Sequence, residues 1–325
     1  MKTRVTDIFG INYPIIQGGL AYLGYAELAS AVSNAGGLGQ ITAATLRTPE
    51  NLRSEIRKVR KLTDKPFGVN FAIAKYNGQY EELLEVTIEE QVPAISITGG
   101  NPQPVLERVK GENIKTLVLV SGVRHAQKAE QLGADAIMAV GQEGGGHIGR
   151  DDIGTMVLIP RIVDHVSIPV LAAGGIGDGR GLLAAFSLGA EGVVMGTRFI
   201  ATQECVHANE KYKNALLQAN ETDTVIIKKT LGTPGRVLKK NYALDIIERE
   251  SNGATYENLK DMISGKSNCR YIYDGNAEEG IGWAGQIIGL INNIPTVQGL
   301  ISEMIQTANQ GMERMESMIG RRADS

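Results

Sequence analysis

Cysteine is nearly absent. Cys205 and Cys269 are the only two in 325 residues, and neither sits in a CxxC pair or a Cys/His cluster. That count excludes a disulfide framework and gives no zinc ligand set. Positive charge is not in excess either. The formal net charge is -3, so no electrostatic argument favours nucleic acid or an anionic membrane surface as a partner. No apolar run reaches the length of a membrane span. The first residues, MKTRVTDIFG, start charged and lack an apolar signal core, so no signal peptide is expected and a cytoplasmic location is. Aromatic residues are few, at 5%.

Glycine is abundant, with 40 residues. That level implies many tight turns and close backbone approaches. Hydrophobic content of 42% and charged content of 21% are typical of a globular protein. The length suits an α/β barrel with an insertion.

Short apolar runs alternate with amphipathic stretches. The runs are YPIIQGG (13–19), GLGQIT (37–42), PFGVNF (66–71), PAISITGG (93–100), KTLVLV (115–120), DAIMAV (135–140), IPVLAAGG (168–175) and EGVVMG (191–196). Near-continuous apolar character bounded by Gly or Pro is the pattern of strands buried on both faces. Between them, 48–62 reads as a helix with Thr48 as N-cap and Pro49 at its first position. Residues 123–134 and 179–190 read as helices ending in Leu-Gly-Ala, with the glycine suited to the cap. Eight strand signals with helical crossovers predict a (β/α)8 TIM barrel. An open doubly wound sheet shares the alternation, but eight evenly spaced units favour closure.

After about residue 205 the text turns polar and helical. The expected division is a barrel over 1–205, a mostly helical second domain or lid over 206–290, and a C-terminal helix over 291–325 returning to the barrel. The methionines of that tail are expected to pack against the barrel.

In a TIM barrel the active site lies at the C-terminal ends of the strands. Those ends carry Gln17-Gly18-Gly19, Asn70, Thr98-Gly99-Gly100-Asn101, residues 142–149, Ala173-Gly174-Gly175 and Gly196-Thr197. Glycine at most of these places lets a large planar or phosphorylated ligand approach the backbone. AAGGIGDG and MGTRF follow the last two runs, where many barrels hold a phosphate on backbone N–H groups. Asp178 would N-cap the following helix, and Thr197 would add a hydroxyl. There is no P-loop and no GxGxxG after a first strand, which argues against a Rossmann site.

The stretch QEGGGHIG (142–149) places His147 on this rim, in a loop too rich in glycine to serve packing. An imidazole there can move a proton or donate a hydrogen bond to an anion. His125, His165 and His207 read as structural or surface residues. Glu143 reads as a proton partner for His147 or, in preference, as a solvated loop charge, and GRDD (149–152) as a helix N-terminus. No Cys-His or Ser-His-Asp set emerges, so no covalent nucleophile is expected. Cys205 reads as a buried junction thiol.

YPIIQGG, SNAGGLG, DKPFGVN, GGGHIG, PVLAAGGIGDGRG and LGAEGVVMGTRF, in order along nearly the whole chain, resemble the flavin-dependent nitronate monooxygenase family, formerly 2-nitropropane dioxygenases. The resemblance implies an FMN-binding TIM barrel with a helical second domain. It implies FMN against Gly18, Gly19, Leu20, Asn70 and Gly145, with its phosphate on Ala173, Gly174, Gly175, Gly196 and Thr197. His147 would be the active-site histidine, and the glycines before it would make room for the flavin ring.

The family spans nitronate oxidation with O2, NADH:quinone reduction and enoyl-acyl-carrier-protein reduction. VRHAQKAEQLGADA, HIGRDD, GTRFIATQEC and YDGNAEEGIGWAGQIIGLI are most similar to bacterial members described as nitronate monooxygenases or NADH:quinone reductases. Those reductases carry a lysine where Leu119 falls, and the carrier-protein reductases have Ala before Gly-Gly-His. The expected activity is therefore nitronate oxidation. The alternative is NAD(P)H-dependent reduction of a quinone or an enoyl thioester, and a flavoprotein that stores or senses FMN with little turnover is a third reading. The expected partners are these small molecules and O2, without nucleic acid or membrane; a homodimer is compatible with the resemblance.

Overall fold

Each of the eight apolar runs forms a strand, because a strand covered on both sides needs apolar residues at every position. The computed structural model describes residues 1–73 and 80–319. The barrel strands are β1 (Ile15–Gln17), β2 (Gly39–Thr42), β3 (Phe67–Ala72), β4 (Ala94–Thr98), β5 (Lys115–Val120), β6 (Ala136–Val140), β8 (Val170–Ala173) and β9 (Gly192–Met195). They pair in parallel in the order β1-β9-β8-β6-β5-β4-β3-β2. Closure comes at the two ends of that order. Ile16 bridges Leu38 in parallel, and Gln17 N–H donates to Leu38 O at 3.0 Å. Side chains reinforce this thin seam. Gln17 Nε2 donates to Gln40 O at 2.8 Å and Gln40 Nε2 to Gln17 O at 2.7 Å. Both are buried, so each carboxamide satisfies backbone that the short β1 leaves unpaired.

The crossover helices form where the caps predict. Thr48 Oγ1 accepts from Asn51 N–H at the start of Pro49–Leu62. Asp178 accepts from the amides of Arg180 and Gly181 at the start of Gly179–Ser187. One expectation fails. Residues 149–152 do not begin a helix; it runs Thr155–Val163, capped at Gly154. Gln142 explains the delay. Its Nε2 donates to Gly149 O at 2.8 Å and Asp151 O at 2.6 Å, which holds those residues in a loop.

Beyond residue 205 lie the helices Glu210–Gln218, Asn241–Ser251, Tyr256–Leu259 and Gly265–Ile272. This segment also carries two strands, β10 (Thr224–Ile227) and β11 (Gly235–Leu238). They form an antiparallel sheet in the order β10-β11-β7, and β7 (Gly146–His147) comes from the barrel loop after β6. Gly235 pairs with His147 and Arg236 with Gly146. Ile227, Val237, Ala243, Ile246 and Ile281 form a small core behind it. The segment closes over the barrel mouth and is called the cap below.

The last helix, Val297–Ile319, buries Val297, Leu300, Ile301, Met304 and Ala308, and lies against Gly179–Ser187 so closely that a Cβ on Gly179 would overlap Met304 O. The expected methionine packing holds only for Met304. Met312, Met315 and Met318 are exposed, because the helix runs on past the surface it packs against. Among the described residues, no helix is long and apolar enough to cross a membrane.

Candidate functional site

A cavity of about 410 Å³ lies between the C-terminal ends of the strands and the cap. Gly18, Gly19, Leu20, Gly145, His147, Ala173, Gly174, Gly175, Gly196 and Thr197 all line it. Asn70 is not among the lining residues. It lies one layer behind, where Nδ2 donates to Ser96 Oγ at 2.9 Å. A Cβ on Gly19 would overlap its side-chain oxygen, so Asn70 backs the loop after β1.

The glycines before His147 serve the protein's own packing as well as the cavity. A Cβ on Gly144 would lie 2.8 Å from Val140 Cγ2, and one on Gly145 would lie 2.5 Å from Gly285 N. Gly146 has φ +78°, which favours glycine. The loop 141–149 is thus stapled to residues 283–286. Gln286 N–H donates to Glu143 O at 2.9 Å, and Gly285 N–H to Thr197 Oγ1 at 3.0 Å. The Thr197 hydroxyl still keeps its own proton to donate to a ligand.

Glu143 is not a solvated charge. Its carboxylate accepts from Thr155 N–H at 3.0 Å and Thr155 Oγ1 at 2.9 Å, at the N-terminus of Thr155–Val163, where an anion is favoured. That places its charge on the helix, with its aliphatic stem toward Gly175.

The cradle around Gly174 and Gly175 is open backbone. Their φ angles are +90° and +72°, and the amides of Gly175 and Gly196 meet no acceptor among the described residues. Unpaired amides at such a bend form an anion-binding concavity.

His147 faces the cavity with its ring exposed to it and protein on its other sides. Nε2 lies 2.7 Å from Lys228 Nζ, and its ring centroid lies 5.1 Å from that of Trp283. Burial, then the Lys228 charge, pulls its pKa down from 6.5 to about 4. Burial also lowers Lys228 to about 8, opposed by Glu250. At neutral pH a charged ammonium therefore donates to a neutral imidazole. With Nε2 accepting, the ring proton is on Nδ1. His125, His165 and His207 lie outside the cavity, and Cys205 is buried.

Sequence reasoning missed Lys228. Among the described residues it is the sole cation lining the cavity. Leu119, where the resemblance has a lysine, lines the cavity too, so the charge enters from the cap instead. The signal was faint: a lysine pair in the apolar-to-polar stretch IIKKTLG.

The low His147 pKa has a consequence for stability. Between pH 6.5 and about 4 the unfolded chain binds a proton at this residue that the folded protein excludes. Stability contributed here is complete above pH 6.5 and is lost as pH falls toward 4. The melting temperature of wild-type protein should therefore drop more from pH 7 to pH 5 than that of His147→Gln. Equal drops would show that His147 titrates normally.

A model of the nitronate monooxygenase family matches residues 2–307. A probable nitronate monooxygenase of Staphylococcus saprophyticus is 34% identical over 97% of this chain and 99% of its own. A (3aS,4S,5R,7aS)-5-hydroxy-7a-methyl-1-oxo-octahydro-1H-indene-4-carboxyl-CoA dehydrogenase of Rhodococcus jostii is 31% identical over 98% of this chain and 99% of its own. The solved structure of FabK from Thermotoga maritima is similar at a TM-score of 0.91 and 39% identity, covering 98% of this chain and 99% of that one.

Proposed function

This chain belongs to the nitronate monooxygenase family and is an oxidoreductase, and we propose that it binds FMN in the cavity and oxidises alkyl nitronates with O2 to carbonyl compounds and nitrite. The observation that carries this reading is the neutral His147 on a cavity wall that also offers an open glycine cradle. When bound, FMN supplies the redox chemistry that no side chain can. The cradle at Ala173, Gly174, Gly175, Gly196 and Thr197 fits its phosphate, since the amides of Gly175 and Gly196 are free there among the described residues. Gly18, Gly19, Leu20 and Gly145 would flank the rest of the cofactor, with Asn70 behind them. Residues 1–205 would then hold the cofactor, residues 206–290 would cover the substrate, and the C-terminal segment from residue 291 would brace the barrel, its last residues, 320–325, lying outside the described ones.

A nitronate arrives already deprotonated, so His147 need not remove a proton. Its Nδ1–H is suited to hydrogen-bond the anionic oxygen and fix its orientation. With a neutral nitroalkane the ring could act as a base only if Nε2 parted from the Lys228 ammonium that it now accepts from. The apolar cap residues Ile263, Ile272 and Trp283 line the same space and would take the alkyl chain.

A second reading is NAD(P)H-dependent reduction of an enoyl thioester or quinone. The carboxyl-CoA dehydrogenase relative favours it, because it places an acyl thioester in a chain of this family. An anaerobic spectrum separates the two. Loss of the oxidised-flavin band with propyl nitronate, but not with NADH or NADPH, is expected. Fast bleaching by a nicotinamide would replace nitronate oxidation with the reductase reading.

Gly175→Val tests the cradle. A β-branched residue at φ +72° is strained, and its Cβ would press on the stem of Glu143, 3.4 Å away, shifting the bend that presents the Gly175 amide to the phosphate. The expected product is folded and colourless. A fully flavin-loaded, yellow variant would remove Gly175 from the phosphate site.

A further inference from the structure

Lys228 is a buried cation without a counter-ion. It is 6% exposed, and among the described residues no carboxylate forms an ion pair with it. Its ammonium contacts the neutral Nε2 of His147 and lies 5.3 Å from the Trp283 ring centroid. The nearby buried acid, Glu250, is spent elsewhere. Glu250 accepts from Lys228 N–H at 2.7 Å, and from Thr230 N–H and Oγ1 at 3.1 and 2.8 Å. It thus grips the backbone of residues 228–230 and gives the ammonium only a through-space attraction, without a direct ion pair among the described residues. It also holds Lys228 at φ +61°, a conformation that lysine rarely adopts and that persists only where the surroundings enforce it. A buried charge that lacks a partner is costly. Strain, burial and the missing counter-ion are all accounted for if an anion completes the site.

We infer that Lys228 is a catalytic residue that receives the anionic oxygen of the substrate together with His147, and that Glu250 is the residue that positions it. The inference deepens the function proposed above and rests on it for the identity of the anion. A nitronate brings the oxyanion with it. In the reductase reading the same ammonium would meet the oxygen of an enolate.

The test uses the chain's single tryptophan, Trp283, whose emission reports binding beside it with or without flavin. Butanoate, a carboxylate of the shape of a propyl nitronate that is not oxidised as one, is titrated into wild-type, Lys228→Met, Lys228→Arg and Glu250→Gln proteins. Wild type should bind it, and Lys228→Met should weaken binding by about 30-fold or more. Lys228→Arg should recover most of the loss, and Glu250→Gln should fall between. Wild-type binding should fade as pH rises through about 8, and that limb should vanish in Lys228→Met. With propyl nitronate, kcat/KM should fall in parallel. Far-UV dichroism and flavin content show that the variants remain folded.

Equal butanoate affinity in wild type and Lys228→Met overturns the inference, as does a wild type that ignores butanoate at every pH. A changed flavin reduction potential with unchanged butanoate binding also overturns it, since the ammonium would then serve the cofactor. Butanoate binding that depends on Lys228, in a protein that does not oxidise nitronates, sinks the proposed function and keeps this inference. Nitronate turnover untouched by Lys228→Met does the reverse.

Discussion

His147→Ala should yield a folded, yellow protein whose kcat/KM for propyl nitronate is about 10²- to 10⁴-fold below wild type, the range for loss of a positioned hydrogen-bonding or acid–base group. Flavin should stay because the proposed phosphate contacts are backbone amides, which this substitution leaves in place. Fold should stay because His147 enters its sheet through backbone pairing with Gly235, which alanine preserves. The variant also strips Lys228 of the Nε2 acceptor at 2.7 Å. Flavin content, melting temperature and steady-state rates are the three readings needed. Full turnover in a loaded, stable variant would remove His147 from the mechanism.

Gly39→Ala should cost about 3 kcal/mol or more of stability, at the upper end of overpacking effects. Gly39 has an ordinary backbone conformation, so no dihedral strain is involved. The cause is contact: a Cβ there would overlap the carbonyl of Ala29 in the helix Ala26–Asn34, and backbone cannot swing aside as a side chain can. Gly111→Ala is the control. It has φ +91° but nothing within 4 Å of the added carbon, so only about 1 kcal/mol of backbone strain is expected. Urea denaturation of both variants gives the comparison. A Gly39→Ala loss no larger than that of Gly111→Ala would mean that the helix and strand do not touch as described.

The barrel was legible because its strands are short and covered on both faces. The run IPVLAAGG (168–175), for example, contains β8 at Val170–Ala173 with glycines at its end. Caps were legible where one side chain decides them, as at Thr48 and Asp178. What stayed hidden depends on partners distant in sequence. Lys228 points inward because Glu250, 22 residues later, fixes its backbone. Nothing in its own neighbourhood says so. Glu143 looked like a free loop charge because its partner, Thr155, is the first residue of a helix that starts later than its acidic prelude implied. The two-residue strand at Gly146–His147 has no alternation to read, since its pairing is set by β11 some 90 residues on. The triple glycine was read as ligand space, whereas part of that space belongs to the backbone at Ala284 and Gly285.

The pairing of His147 with Gly235 has a consequence for how such an enzyme diversifies. Strand pairing has a period of two, so a shift of one residue turns a side chain to the opposite face. A single-residue insertion or deletion ahead of β11 would have to be absorbed before Gly235, or Arg236 and Val237 would exchange faces and the strand that pairs with His147 would no longer fit. The cap is therefore not a module that can be exchanged wholesale for a new substrate range. Grafting one from a relative succeeds only if the donor brings its own strand in frame with residues 146 and 147, so that the histidine and the cap are inherited together.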